Sequence, residues 1–431
     1  MGDKSGTVAG FYIPRASASV AFIPASIGSG EEWNMDAENV LLHEYAHHFT
    51  YQNYAGAFPA WFIEGFAEFH SSAKFEKDGT VGIGMPPLHR GWGLLAGNPL
   101  PLEKMMTAEP GELNTTEREA LYGRGWLLTH FLTFEPDRRD QLAAYLRGIN
   151  QGESSLDAAE AAFGDLKQMS KELDRYLMRR KMSYVPIQPL PIGDLEIREV
   201  SPGEDAVMDA KIQSRRGVTR DQAVALVADM RREAAPFPDD PAVQAALAEA
   251  EYDAGNDAEA EAAADRAIAK DPKCIDALIH KAMVKMRRAN GSSDPNVWDE
   301  VRRAINAANR VDPMHAVPFI LFYNSFRQQG IKPTANAVAG LNEAFYLAKQ
   351  DRDLRMLAAY QYLVDGKAKE ARTALAPIAF DPHAGEMSKF AAPIMDQLDA
   401  GDTAAALKAW EKAGKTNAAG EEVGDQKDNA R

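Results

Sequence analysis

The stretch Leu41-Leu42-His43-Glu44-Tyr45-Ala46-His47-His48-Phe49 decides the fold of the first part of this chain. Its histidines His43 and His47 are four residues apart, which is close to one turn of an α-helix. Both imidazoles therefore lie on one helix face and can hold a single metal ion. Glu44 lies beside His43, where it can reach a water on that metal instead of the metal itself. The pattern predicts a helix that carries a metal site.

A third metal ligand is expected nearby, because a tetrahedral catalytic zinc takes three protein ligands and leaves one position open. The segment Pro59-Ala60-Trp61-Phe62-Ile63-Glu64-Gly65-Phe66-Ala67-Glu68-Phe69 offers Glu64, which sixteen residues separate from His47. That spacing lets the first helix end, a loop turn, and a second helix beginning near Pro59 run back past the first. Glu68, one turn after Glu64, either orients a ligand imidazole or is a solvated helix acid.

These two segments together resemble the gluzincins, the metallopeptidases that combine HExxH with a later glutamate. The resemblance covers roughly the first 185 residues and is greatest with bacterial peptidase-MA-like proteins. It implies an α+β zincin-like catalytic domain, mostly helical with a small N-terminal sheet. It also implies Zn2+ held by His43, His47 and Glu64, with Glu44 as the general base. The alternative is that both histidines are core residues and Glu64 is an ordinary helix acid.

A candidate for stabilising the oxyanion of the reaction lies in the segment Tyr122-Gly123-Arg124-Gly125-Trp126. Aminopeptidase-like gluzincins carry a Y-x-x-G-aromatic segment that opens a helix beyond the glutamate ligand. The resemblance therefore implies that Tyr122 donates a hydrogen bond to the oxyanion. The alternative is a tyrosine that anchors the start of the helix. If Tyr122 faces away from the metal, the next candidates are His89, His130 or residues upstream of Met1.

The residues upstream of the motif predict two strands, at Gly10–Ile13 and Ala16–Ile23, because they are rich in small, aromatic and β-branched residues. Neither segment contains the acid with which aminopeptidases bind a free amine, so endopeptidase activity on a peptide or protein substrate is the default expectation. Residues 1–6 do not form a secretory signal. Further strands, and an export signal, are expected upstream of Met1 if the native chain is longer; the compartment is otherwise unknown.

Composition restricts the classes of partner. The chain has 431 residues, of which 45% are hydrophobic, so it can form two cores. Its net charge of -15 argues against nucleic acid or an anionic membrane as partner. No apolar stretch approaches the ~18 residues of a membrane span. The single cysteine, Cys274, excludes an internal disulfide.

The sequence predicts four regions. The metallopeptidase-like domain is expected over residues 1–184, with a hairpin turned at Asp78-Gly79 and a last helix over 166–182. Proline density then predicts a stiff, extended linker over 185–203. Ala-rich helical pairs follow over 204–415, and the polar stretch 416–431 is predicted to be disordered.

The helical pairs resemble tetratricopeptide repeats. When Pro272 is taken as the proline that ends a repeat, the small and turn positions of a 34-residue unit fall on Leu247, Ala248, Gly255, Ala260, Ala264 and Ala267. About five or six such hairpins are expected to stack into an all-α tetratricopeptide-like solenoid, because one hairpin cannot bury its apolar face alone. The array either binds a peptide ligand or acts as a spacing scaffold.

Two functions therefore remain open. The first is a zinc-dependent peptidase, with Glu44 as general base, joined to a helical-repeat interaction domain. The second is a non-catalytic interaction or scaffold protein whose zinc site is structural or vestigial. Competent residue types occupy every expected catalytic position, which favours the first function.

Overall fold

The computed structural model describes residues 10–24, 35–54, 56–95, 99–108, 112–191, 193–380 and 386–420, with side chains as far as residue 413. The strands are β1 Phe11–Ile13, β2 Val20–Phe22, β3 Lys74–Phe75, β4 Val81–Ile83 and β5 Val185–Ile187. The helices of the first half are α1 Ala37–Asn53, α2 Ala60–Ser71, α3 Gly91–Leu95, α4 Leu102–Thr107, α5 Thr115–Phe134, α6 Gln141–Asn150, α7 Ser155–Phe163 and α8 Leu166–Leu177. Those of the second half are α9 Pro202–Arg216, α10 Arg220–Ala234, α11 Pro241–Asp253, α12 Asp257–Lys270, α13 Ile275–Ala289, α14 Pro295–Val311, α15 Ala316–Gln328, α16 Ala335–Leu347, α17 Arg352–Val364, α18 Ala368–Ala379, α19 Glu386–Asp399 and α20 Thr403–Gly420.

Two compact units divide the chain. The first comprises Met1–Pro14, Ala21–Ile192 and Arg355–Gly424, and the second comprises Arg15–Val20, Gly193–Leu354 and Asp425–Arg431. This division differs from the sequence-based regions, because the helices after Arg355 group with the N-terminal part and not with the preceding repeats. The expected domain boundaries at 184 and 204 stay a prediction.

The N-terminal unit is built around α2 and α5, which are buried along most of their length. Side-chain caps fix where the long helices begin: Asp36 forms a capping box with Asn39 at the start of α1, and Asn114 forms one with Glu117 at the start of α5. Pro59 precedes the first residue of α2, as expected from its sequence position. The largest fully buried side chains of this core include Trp61, Trp126, Tyr145, Leu102, Met105, Leu121, Leu127, Leu128, Met169 and Leu173.

Small sheets complete this unit. Strands β1 and β2 form a two-stranded sheet, and β3, β4 and β5 form a three-stranded one in which β4 pairs antiparallel with both neighbours. The hairpin predicted at Asp78-Gly79 is present, with Gly79 at a φ of 84° that favours glycine. Strand β5 lies inside the stretch that the sequence predicts to be a stiff, extended linker, and its extended backbone pairs with β4. The last helix also ends earlier than predicted, at Leu177 and not at residue 182.

The second unit consists of consecutive helical pairs from α9 to α16. Its core is rich in alanine, and Ala260, Ala264 and Ala267 are fully buried as the repeat pattern requires. Gly255 has a φ of 72° in the turn between α11 and α12. The tetratricopeptide-like helical pairs are therefore present as the sequence predicts.

Two further observations concern the C-terminal helix and the apolar character of the helices. Helix α20 extends to Gly420, so residues 416–420 are helical although the sequence predicts disorder there. The rest of that predicted tail, 421–431, lies outside the described residues. In the part of the chain that the structure describes, no helix combines the length and apolar character needed to cross a bilayer.

Candidate metal centre

Helices α1 and α2 bring three potential metal ligands together. The Nε2 atoms of His43 and His47 are 3.1 Å apart. The Oε2 atom of Glu64 lies 3.2 Å from the first of these nitrogens and 3.7 Å from the second. The two imidazoles are 12% and 14% exposed, whereas the Glu64 side chain is only 4% exposed. The cluster therefore opens to solvent on its histidine side.

The spacing of these atoms fits a tetrahedral zinc ion. Metal–ligand bonds of about 2.0–2.1 Å at tetrahedral angles place the ligand atoms about 3.3–3.4 Å from one another. The three distances above bracket that value. Two imidazoles and one carboxylate are also the ligand types of known catalytic zinc sites. Among the described residues, this is the group of histidine, cysteine and acidic side chains whose ligand atoms converge, all within 4.8 Å.

Glu68 contacts the opposite side of the His43 ring. Its Oε1 atom lies 3.3 Å from Nδ1 of His43, while Oε2 lies 2.9 Å from Nε2 of His89. Arg90 donates to Oε1 through Nη2 at 2.7 Å and through Nε at 2.9 Å. Burial raises the pKa of Glu68, but Arg90 and the two histidines outweigh it and hold that pKa well below its usual value. Glu68 is thus a charged, fully buried acceptor, and not the solvated acid of the alternative interpretation.

The sequence gives no indication of these partners of Glu68. The sequence predicts for His89 only a possible role as oxyanion donor, whereas the structure pairs it with the Glu68 carboxylate. No sequence motif includes Arg90. About twenty residues separate Glu68 from both side chains, and no local periodicity relates them.

The electrostatics of His43 follow from its position between two acids. Burial lowers the pKa of His43, but hydrogen bonds and charge interactions with Glu64 and Glu68 outweigh it and raise the pKa to about 10. Nε2 faces Glu64 and His47, whereas Nδ1 faces Glu68. Each ring nitrogen therefore has a defined partner, as in a metal-binding histidine whose second nitrogen is held by a carboxylate.

Glu44 is buried beside this cluster, with 7% of its surface exposed. Burial raises its pKa to about 7, partly opposed by His43 and by a hydrogen bond from the backbone N–H of Tyr12 in β1. The Tyr12 hydroxyl also hydrogen-bonds Nδ1 of His48 at 2.9 Å. Strand β1 thus contacts α1 through both Glu44 and His48, and this gives His48 a structural contact away from the ligand group.

Tyr122 lies in the interior of α5, which begins at Thr115. The expectation that this segment opens a helix is therefore wrong. Its ring stacks on the His43 ring with centroids 5.9 Å apart and planes 24° apart. Burial, together with the carboxylates of the site, raises the Tyr122 pKa well above its usual value despite the opposing effect of Arg90. The hydroxyl accordingly keeps its proton and can act as a donor.

His130, the other histidine considered for the oxyanion, lies elsewhere in the core. Its Nδ1 is 2.8 Å from the Tyr176 hydroxyl and its Nε2 is 2.8 Å from the Ser183 carbonyl oxygen. A carbonyl only accepts, so Nε2–H donates to Ser183 and Nδ1 accepts from Tyr176. Both ring nitrogens are engaged in holding the core, and His130 is not available to the metal site.

Comparison with known proteins concerns the helical repeats. Residues 241–284, which span α11, α12 and most of α13, match the tetratricopeptide repeat family. A solved structure of a thermophilic tetratricopeptide-repeat protein from Thermus thermophilus is similar at 17% sequence identity and a TM-score of 0.38. That similarity covers 44% of this chain and 97% of the other. No curated protein matches the chain. The family match over residues 241–284 shows that the chain contains tetratricopeptide-like repeats, a type of structure that indicates a protein-interaction role.

Proposed function

We propose that the N-terminal unit is a zinc-dependent peptidase and that the repeats serve protein interaction. The observation that carries the proposal is the triangle of His43, His47 and Glu64 ligand atoms, whose sides of 3.1, 3.2 and 3.7 Å suit tetrahedral zinc. When bound, zinc lowers the pKa of a coordinated water to about 7 and polarises a carbonyl. The substrate class is a peptide or protein, with endopeptidase cleavage as the default.

The protein's own residues have distinct tasks in this proposal. Glu44 takes the proton of the attacking water on its carboxylate and passes it to the leaving amine. Its burial and the backbone N–H of Tyr12 limit the positions that its carboxylate can take. Tyr122 keeps its phenolic proton and donates it in a hydrogen bond to the oxygen that becomes negative as the carbonyl is attacked. Glu68 holds the His43 ring through Nδ1, so that Nε2 faces Glu64.

The alternative is an interaction or scaffold protein in which the metal site is structural or vestigial. The tetratricopeptide match favours an interaction role for the repeats but does not bear on hydrolysis. The two functions differ in whether the site of His43, His47 and Glu64 catalyses hydrolysis, because both assign protein interaction to the repeats.

A single substitution, Glu44→Gln, distinguishes the peptidase function from the scaffold function. Glu44→Gln keeps the size and helix of the wild type and removes the base, so zinc should remain bound at one ion per chain. Hydrolysis of a peptide library should fall by several orders of magnitude, because the proton acceptor is lost. Equal cleavage by wild type and Glu44→Gln would assign the activity to another site or a contaminant. Zinc binding without cleavage by either protein would favour the scaffold function.

A further inference from the structure

Arg90 contacts two of the side chains that surround the His43 ring. Its guanidinium donates to Oε1 of Glu68 at 2.7 and 2.9 Å, and its Cζ lies 4.6 Å from the centroid of the Tyr122 ring. Glu68 and Tyr122 each contact His43, the first at Nδ1 and the second on the face of the ring. Arg90, Glu68, His43 and Tyr122 therefore form a closed ring of contacting side chains.

A third contact of the Arg90 guanidinium is with Glu119, which does not belong to the ring of four side chains. Nη1 of Arg90 lies 3.0 and 3.2 Å from the two carboxylate oxygens of Glu119, one turn before Tyr122 in α5. Arg90 ends a turn of 3-10 helix, Leu88–Arg90, that leads into α3. A β-carbon on Gly93 would lie 3.0 Å from the backbone oxygen of Glu119, so α3 and α5 approach closely at this point. The backbone around Arg90 is thus held at a short distance from α5.

The chemistry of these contacts requires arginine. A planar guanidinium can bind one carboxylate, bind a second on another edge, and stack on an aromatic face at the same time. A lysine ammonium is a point charge and cannot make all three contacts in one geometry. The Arg90 side chain is 11% exposed and that of Glu68 is fully buried, so water can replace little of what is lost if either is removed.

We propose that Arg90 is a positioning residue, which holds Glu68 against Nδ1 of His43 and Tyr122 against the face of the same imidazole. This inference rests on the proposed peptidase function. Through Glu68 it fixes the orientation of a zinc ligand, and through Tyr122 it fixes the oxyanion donor. One residue thereby couples metal affinity to the rate of the chemical step.

The test compares Arg90→Met with Arg124→Met in the full chain. Arg124 is a matched control, because it is also buried and its guanidinium donates to Asp174 at 3.0 Å and to Ser170 at 3.2 Å, both on α8. Arg90→Met should weaken zinc binding, measured by competition with a chelator, by about 10–100-fold, the usual effect of losing a residue that orients a metal ligand. Arg124→Met should lower stability but leave zinc affinity within about twofold, since the ligands keep their orienting partners. Equal zinc affinities of the two variants would overturn the proposal.

A double-mutant cycle tests the second half of the coupling. In zinc-saturated protein, Arg90→Met should lower kcat by at least about 10-fold with little change in KM. In the Tyr122→Phe background the same substitution should have a much smaller effect, because the donor that Arg90 positions is already absent. The kcat of Arg90→Lys should be closer to that of Arg90→Met than to that of wild type, because lysine cannot make the three contacts of the guanidinium. The coupling would be contradicted if the fold-decrease in kcat of the double variant equalled the product of the decreases in the two single variants.

A readout on metal-free protein keeps this inference separate from the peptidase proposal. The imidazole nitrogen signals of His43, followed by NMR with ¹⁵N-labelled histidine, should shift in Arg90→Met and stay unchanged in Arg124→Met. Loss of the hydrogen bond from Nδ1 to Glu68 is the physical cause. Unchanged His43 signals in Arg90→Met would refute the positioning role even if the protein cleaves peptides. If the signals shift but wild type neither binds zinc nor cleaves peptides, the proposed function fails while the positioning of His43 stands.

Discussion

The backbone of Gly125 in α5 occupies the space where a β-carbon on Gly65 in α2 would lie. Such an atom would be 2.3 Å from the Gly125 carbonyl oxygen and 2.9 Å from its Cα. In turn, a β-carbon on Gly125 would lie 2.7 Å from the backbone oxygen of Trp61. The two helices therefore touch backbone to backbone. This contact brings Glu64, the neighbour of Gly65, and Tyr122, one turn before Gly125, to the same site.

Gly65→Ala should separate these helices. Its methyl group meets backbone that cannot rotate away, so we expect a loss of about 3 kcal/mol or more in the free energy of unfolding, the upper part of the range for overpacking. Zinc affinity should fall as well, because Glu64 moves with the helix. Gly123→Ala is the control: its methyl group would lie 3.0 Å from the Leu94 side chain, which can adjust. Denaturant unfolding and chelator competition measure both effects, and similar results for the two variants would contradict this account.

Zinc binding should depend on Glu64. Glu64→Ala leaves a two-histidine site, which cannot complete the usual set of three protein ligands. We expect zinc affinity to fall by more than about 100-fold, since even the loss of an orienting residue costs about 10–100-fold. Glu172→Ala removes another paired carboxylate of the same unit, on α8, and should leave affinity unchanged. Elemental analysis measures the zinc content of each variant, and competition with a chelator measures its zinc affinity. Unchanged zinc binding in Glu64→Ala would remove the basis of the proposed site.

Tyr122→Phe should affect catalysis and not metal binding. The substitution removes the hydroxyl and keeps the ring stacked on His43, so kcat should fall by about 10²–10³ while KM changes little. Tyr145→Phe is the matched control, because it removes a buried hydroxyl that hydrogen-bonds Trp61 and Ser155. The control should cost stability and leave kcat unchanged. Steady-state kinetics on zinc-saturated proteins test this; an unaltered kcat in Tyr122→Phe would exclude the oxyanion role.

His130 should make the stability of the protein depend on pH. Burial lowers its pKa from 6.5 to about 4, opposed in part by the hydrogen bond to the Ser183 carbonyl and by Glu135. Between about pH 4 and pH 6.5, His130 is therefore protonated in the unfolded chain and neutral in the folded chain. The stabilisation is therefore fully present above about pH 6.5 and is lost as pH falls towards about 4, by at most about 3 kcal/mol.

The measurement is denaturant unfolding of wild type and His130→Gln between about pH 7.5 and 4, which spans both pKa values. The other titrating groups are common to both proteins and cancel in the difference between their unfolding free energies. That difference should shrink as pH falls through the window. A difference that stays constant would show that His130 does not titrate in this range.

The sequence by itself determined the features that depend on local spacing. His43 and His47 share a face because four residues make about one helical turn, and Asp78-Gly79 turns a hairpin because glycine accepts a positive φ. The alanine positions of the repeats follow in the same way from a fixed period. Each of these is a property of neighbouring residues, and the structure contains all three.

Tertiary structure alone decided how separate elements meet. The pairing of Glu68 with His89 and Arg90, the stacking of Tyr122 on His43, and the addition of β5 to a sheet all join residues far apart in the chain. No periodicity encodes such contacts, because they depend on which helix faces pack and how closely. The close approach of the backbones at Gly65 and Gly125 is the physical reason that Glu64 of α2 and Tyr122 of α5 lie at the same site. Local spacing therefore predicted the helix that carries His43 and His47 on one face, whereas helix packing decided which side chains surround them.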